Sequence, residues 1–230
     1  MQLHNLLKFS LFLLTPLFLG QCTEASPSDK QERIFANFEV RYLAEDLQLR
    51  GYAYFSQGDS VANNQALSLA NGVAFMGSGT TLKTLPEGVI RYENTFKLDY
   101  VSPLRFSFTL PQQEEAIELS FPMDGINDFA VTSATKKNGL RIDLDGDLAK
   151  DESLLLLFTD SDNATKTIVR PGPLTKEDLF IPSDALLHFK TGDYRLFMLK
   201  SKETAGVMDE LEYQAIIEFY TQEKAFTLVE

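Results

Sequence analysis

The chain predicts an all-β protein built as two antiparallel β-sandwich domains, and three observations carry that expectation. Apolar and polar residues alternate with a period of two in many short runs. Gly, Pro, Asn and Asp residues punctuate the runs at spacings suited to short sandwich strands. No unit of about 20 to 50 residues recurs, which sets solenoids and propellers aside.

The elements follow in order. Phe38, Val40 and Tyr42 alternate with Asn37, Glu39 and Arg41 to make a first strand. Leu47, Leu49 and GYAYFSQGDS make a second that ends at Gly58-Asp59. GVAFMGSGTT, from Gly72, reads as a hairpin with Gly77-Ser78-Gly79 near its turn and Pro86-Glu87-Gly88 beyond it. VIRYENTFKLDY, RFSFTL and AIELSF are further strands. Pro103, Pro111 and Pro122 fall between runs, where a missing N–H donor interrupts no ladder. These runs make a first domain, residues 32–122.

A second domain spans 123–230. GLRIDL puts Leu140, Ile142 and Leu144 on one face, SLLLLFTD is a buried run, and a turn at 160–163 leads to TKTIVRPGP. DLFIP is a short strand and SDALLHF a short helix with Ser183 as its N-cap. GDYRLFMLKSK and LEYQAIIEFYTQEKAFTLVE supply the last strands.

Ahead of both domains, FSLFLLTPLFL at 9–19 follows a single basic residue, Lys8. A membrane-spanning helix needs about 20 apolar residues, so this stretch has the length of a signal-peptide core instead. Cys22, the chain's one cysteine, follows it directly. Leu19-Gly20-Gln21-Cys22 resembles the lipobox of bacterial exported lipoproteins, although Gln21 stands where that family usually carries Gly or Ala. The resemblance implies a signal peptide over 1–21 and attachment of lipid, with palmitate, at Cys22. It further implies an anchor in the bacterial outer membrane, on its periplasmic or cell-surface side. Cleavage after Ala25 would instead leave a soluble secreted chain with no cysteine. TEASPSDKQ is polar and lacks apolar periodicity, so 22–31 reads as a flexible tether with a reach of about 30 Å.

The net charge is −12, and loss of residues 1–21 removes only Lys8 to leave −13. Binding of nucleic acid by a basic patch is disfavoured, and contact with a membrane is expected through the lipid alone. With no thiol after Cys22, no disulfide, CxxC zinc site or cysteine nucleophile can form. His4 leaves with the signal, so His188 is the one histidine of the mature chain and no His-rich metal site can be built. Ser78 stands where a phosphate loop needs its lysine. Asp143, Asp145, Asp147, Asp151 and Glu152 offer oxygen ligands at calcium-like alternation, but Leu148 and Leu154 replace the Gly and Glu of an EF-hand. They read first as a solvated loop, and no metal or cofactor is expected.

IPSDALLHFKTGDYRLFML resembles the E–F corner of immunoglobulin-like sandwiches, in which a tyrosine near the start of strand F bonds main chain upstream. That resemblance covers about 100 residues and assigns the structural role to Tyr194, with its hydroxyl bonded within 186–191. As a whole the chain is similar to Bacteroidota exported lipoproteins with immunoglobulin-like domains. The resulting expectation is a non-catalytic binding or assembly module of the cell envelope, with an envelope protein or glycan as partner. A glycan hydrolase using paired carboxylates is the alternative, and two close carboxyls in a cleft would mark it.

Overall fold

The computed structural model describes residues 32–175 and 179–230. The expected signal segment, the tether and Cys22 lie outside these residues, as do 176–178.

Period-two burial generates the strands. In β1 (Arg33–Leu43), Phe38, Val40 and Tyr42 are buried while Asn37 and Arg41 are exposed. β2 (Gln48–Ser60), β3 (Asn63–Ala66), β4 (Val73–Phe75), β5 (Ser78–Gly79) and β6 (Thr81–Thr84) follow. β7 (Ile90–Lys97), β8 (Leu104–Phe108) and β9 (Ile117–Phe121) complete the first half. The second half holds β10 (Asp128–Thr135), β11 (Gly139–Asp145), β12 (Glu152–Asp160), β13 (Thr165–Pro171) and β14 (Phe180–Ile181). It ends with β15 (Gly192–Met208), β16 (Leu211–Tyr220) and β17 (Lys224–Leu228). No α-helix occurs among the described residues. The protein is all-β, with sandwich-like layering of its sheets.

One ten-stranded sheet runs β13-β12-β15-β16-β1-β2-β7-β6, with β17 also paired to β15 and β3 to β2. Two smaller sheets, β5-β4-β8-β9 and β10-β11-β14, complete the structure. The first small sheet meets the large one through phenylalanines: Phe38 and Phe106 lie 4.8 Å apart, and Phe75 and Phe106 stack at 4.6 Å. Gly51 makes room for this contact, since a Cβ there would sit 2.4 Å from the Phe75 ring. In the second half Leu154, Leu156, Phe158, Leu196 and Met198 of the large sheet are buried, as are Leu140, Ile142, Leu144 and Ile181 of the small one. Parallel register puts Phe38, Val40 and Tyr42 beside Ala215, Ile217 and Phe219, and antiparallel register puts Phe219 beside Lys200 and Lys200 beside Leu154. Both small sheets therefore cover the same face of the large one.

The expected halves supply β1–β9 and β10–β17, but they are not separate bodies: Glu32–Glu230 is one compact unit. The cause is the length of β15. The expected strand GDYRLFMLKSK continues past Lys202 through ETAGVM to Met208 and turns at Asp209-Glu210 into β16. Asp209 takes φ 52°, the left-handed geometry a two-residue hairpin demands. This long arm carries β16 across to β1, where the two pair in parallel over Ile34–Leu43. A second correction concerns SDALLHF. It forms only a 3-10 turn, Ser183–Leu186, with Pro182 at the N-cap and no side-chain cap, because Ser183 lies inside the turn.

Candidate functional site

The face of the large sheet opposite the small sheets is the natural surface for contact. In its second half the register aligns Val169, Leu155, Leu199, Tyr220 and Leu43 in one row. Leu157 and Phe197 pair beside that row, and Phe197 touches Tyr220 at 5.8 Å. These side chains are half-buried, and Val169 is 61% exposed.

In the first half the same face is polar and aromatic. One row reads Asn37-Tyr54-Arg91-Lys83 and the next Glu39-Tyr52-Glu93. The Arg91 guanidinium lies 4.9 Å over the Tyr52 ring, and Glu93 is paired with both Lys83 and Arg91. Arg41 Nε pairs with Glu218 at 2.8 Å, tying β1 to β16 across the parallel seam. Burial raises the Tyr54 hydroxyl above its ordinary value, with the Glu39 charge adding to the effect. Burial likewise pushes Tyr220 up to about 12, helped by its bond to Glu218.

A groove of about 790 Å³ opens on this face. It lies where β3 and β7, successive partners of the same edge of β2, part company. Asn37, Glu39 and Tyr54 line it from β1 and β2, Asn64 and Gln65 from β3, and Glu87 from the turn before β7. Glu87 holds φ 64°, a left-handed conformation that costs an L residue.

Two further cavities lie where the halves meet. One, of about 350 Å³, has a floor of Tyr42, Tyr100 and Phe219, whose rings contact one another at 5.0 to 5.1 Å. The Tyr100 hydroxyl donates to the Met123 carbonyl at 2.6 Å, and burial moves its titration upward. The other, of about 650 Å³, is lined by Asp124, Asp145, Asp147, Glu152 and Lys200. Here Lys200 Nζ binds Glu152 Oε2 at 2.8 Å and the Asp147 carbonyl at 2.7 Å. Glu152 Oε2 also accepts the Ala149 N–H at 2.8 Å. Both charged side chains are almost wholly buried, at 1% and 4% exposure. This triad clamps the 147–152 loop onto β15.

The acidic residues singled out in sequence are thus divided. Asp143 and Asp145 are exposed on β11, where Ile142 and Leu144 turn inward, while Glu152 is held by Lys200 and Asp151 by Lys202. No group of three His, Cys, Asp or Glu among the described residues is placed to hold a metal ion. His188 is exposed just beyond the 3-10 turn. Tyr194 is 2% exposed, and its hydroxyl donates to the Lys190 carbonyl and accepts the Lys190 N–H, both at 3.1 Å. Asp160 Oδ1 accepts the Asp162 and Ala164 N–H groups, which makes the 160–163 segment a side-chain-closed turn. The groove was missed in sequence. Its signals were the outward alternation of Asn37 and Glu39 and the aromatic Tyr54, which could serve a sugar platform if exposed, whereas the gap between β3 and β7 depends on pairing.

No family model matches the chain, and no curated protein matches it significantly. Among solved structures, the chicken interferon gamma receptor alpha chain aligns over 84% of this chain and 97% of that one. Identity is 13% and the TM-score 0.31, a level that establishes no shared topology.

Proposed function

We propose that the protein is a non-catalytic binding or assembly module, held to the bacterial outer membrane by lipid on Cys22. The carrying observation is the face of the ten-stranded sheet that neither small sheet covers. It combines a half-exposed apolar row with an aromatic and charged row over a span of eight successive strands. Such a surface suits a partner that lies across strands. The non-catalytic reading is supported by the exposed His188, outside any cleft described above, and by the structural engagement of Glu152 and Lys200 with each other. The bonding of Tyr194 to Lys190 supports the likeness of the second half to immunoglobulin-like sandwiches.

The test has two arms in whole cells. Labelling with a palmitate analogue is expected in the wild type and lost in Cys22→Ala; a wild type that takes up no label defeats the anchor. For binding, the double variant Val169→Glu/Arg50→Glu, with Arg50 on the uncovered face of β2 between the inward Leu49 and Gly51, is expected to abolish co-purification of an envelope component. Glu118→Lys, on the opposite small sheet, should leave it intact. Equal retention by both variants would defeat the assignment of this face.

A further inference from the structure

We propose that the groove between β3 and the turn at 87–90 binds an uncharged oligosaccharide. This inference rests on the binding-module reading and supplies its ligand class.

The chemistry of the walls selects the ligand. Asn37, Asn64 and Gln65 bring side-chain amides, each both donor and acceptor, and Glu39 and Glu87 bring acceptors. A sugar hydroxyl also donates and accepts, so neighbouring hydroxyls match an amide or a carboxylate in pairs. Tyr54 adds an aromatic ring with a polar tip, able to take the C–H face of a sugar ring. Arg91 stands beside Tyr54 across the β2–β7 pair, its charge paired with Glu93.

Charge narrows the class. No Lys or Arg lines the groove, two carboxylates do, and the whole chain carries −12. Phosphorylated, sulfated or uronate-containing chains would meet like charge at close range.

Backbone pairing disfavours a peptide. β1 lies between β16 and β2, and β2 is paired with β1 on one edge and with β7 and β3 on the other. The edge left open at the groove is that of β3, which is only four residues long, so an extended peptide could gain few of the main-chain bonds that give strand addition its affinity. Binding then comes mainly from side chains, and most of those in the groove are polar. The groove opens along the sheet surface, which suits a linear chain.

The experiment is calorimetric titration of the mature chain with linear hexasaccharides of glucose, xylose, mannose or N-acetylglucosamine, and with the hexamer of galacturonate. At least one neutral chain should bind with Kd below about 1 mM, and Tyr54→Ala should weaken it about tenfold or more. Tyr54→Phe, which keeps the ring, should retain most of the affinity, and melting curves of both variants check the fold. The inference is overturned if no neutral chain binds, if galacturonate binds more tightly, or if Tyr54→Ala binds as wild type. If the outer-face variants lose a protein partner while no sugar binds, the ligand class falls and the binding module stands. If the bound sugar emerges shortened, the groove stands as a glycan site and the non-catalytic reading falls.

Discussion

Replacing Lys200 tests the clamp at the junction of the two halves. Lys200 sits on the inner face of the large sheet, where its ammonium pairs with Glu152 and also holds the Asp147 carbonyl. Lys200→Ala removes a charge-assisted bond and a second hydrogen bond, and strands a carboxylate that is 4% exposed. Breaking a buried pair from one side costs about 3–5 kcal/mol, mostly from the charge left behind. For a body of about 200 residues each kcal/mol moves the melting temperature by ~2–4 °C, so the expected fall is roughly 6–20 °C. Lys200→Met combined with Glu152→Gln removes both charges, while the glutamine oxygen can still accept the Ala149 N–H. That double variant should lose only about 1–2 kcal/mol, less than the single one. Urea unfolding of the wild type and both variants provides the assay. A loss under about 1 kcal/mol for Lys200→Ala, or a double variant worse than the single, would refute the reasoning.

Tyr194→Phe removes the hydroxyl that serves both main-chain groups of Lys190, and should cost about 1–3 kcal/mol by urea unfolding without changing the slope. Acid should destabilise the fold in a defined window. Hydrogen bonds from Lys83, Lys224 and Lys202 hold the Glu93, Asp128 and Asp151 carboxyls, respectively, below their ordinary values. A carboxyl lowered in the folded state stabilises fully above its unfolded value and loses that effect as pH falls through the folded one. The urea midpoint should therefore hold from about pH 7 to 5 and drop below about pH 4, more weakly in high salt. A midpoint that rises towards acid would contradict these pairings.

Strand alternation made most of the fold legible. Phe38, Val40 and Tyr42 declared their buried face, as did Leu140, Ile142 and Leu144, because one-sided burial writes a period of two into the sequence. Tyr194 was legible because its bond to Lys190 is local, four residues away. The joining of the halves was not. It depends on which strand β16 meets, and Ile34–Leu43 carries no mark of its parallel partner at Leu211–Tyr220. The Lys200–Glu152 clamp was equally hidden, since 48 positions separate a lysine and a glutamate that each look like surface residues. The groove shares that origin: Tyr54 and Gln65 meet there only because β3 and β7 divide the edge of β2 between them.

The central claim is that the uncovered sheet face, at its groove, is where this protein meets its partner. Site-specific photocrosslinking in intact cells tests it most directly, with Tyr54→benzoylphenylalanine in the groove and Glu118→benzoylphenylalanine on the opposite small sheet. A light-dependent adduct with an envelope component is expected from position 54 and none from position 118. An adduct from 118 alone, or no adduct from 54, would contradict it.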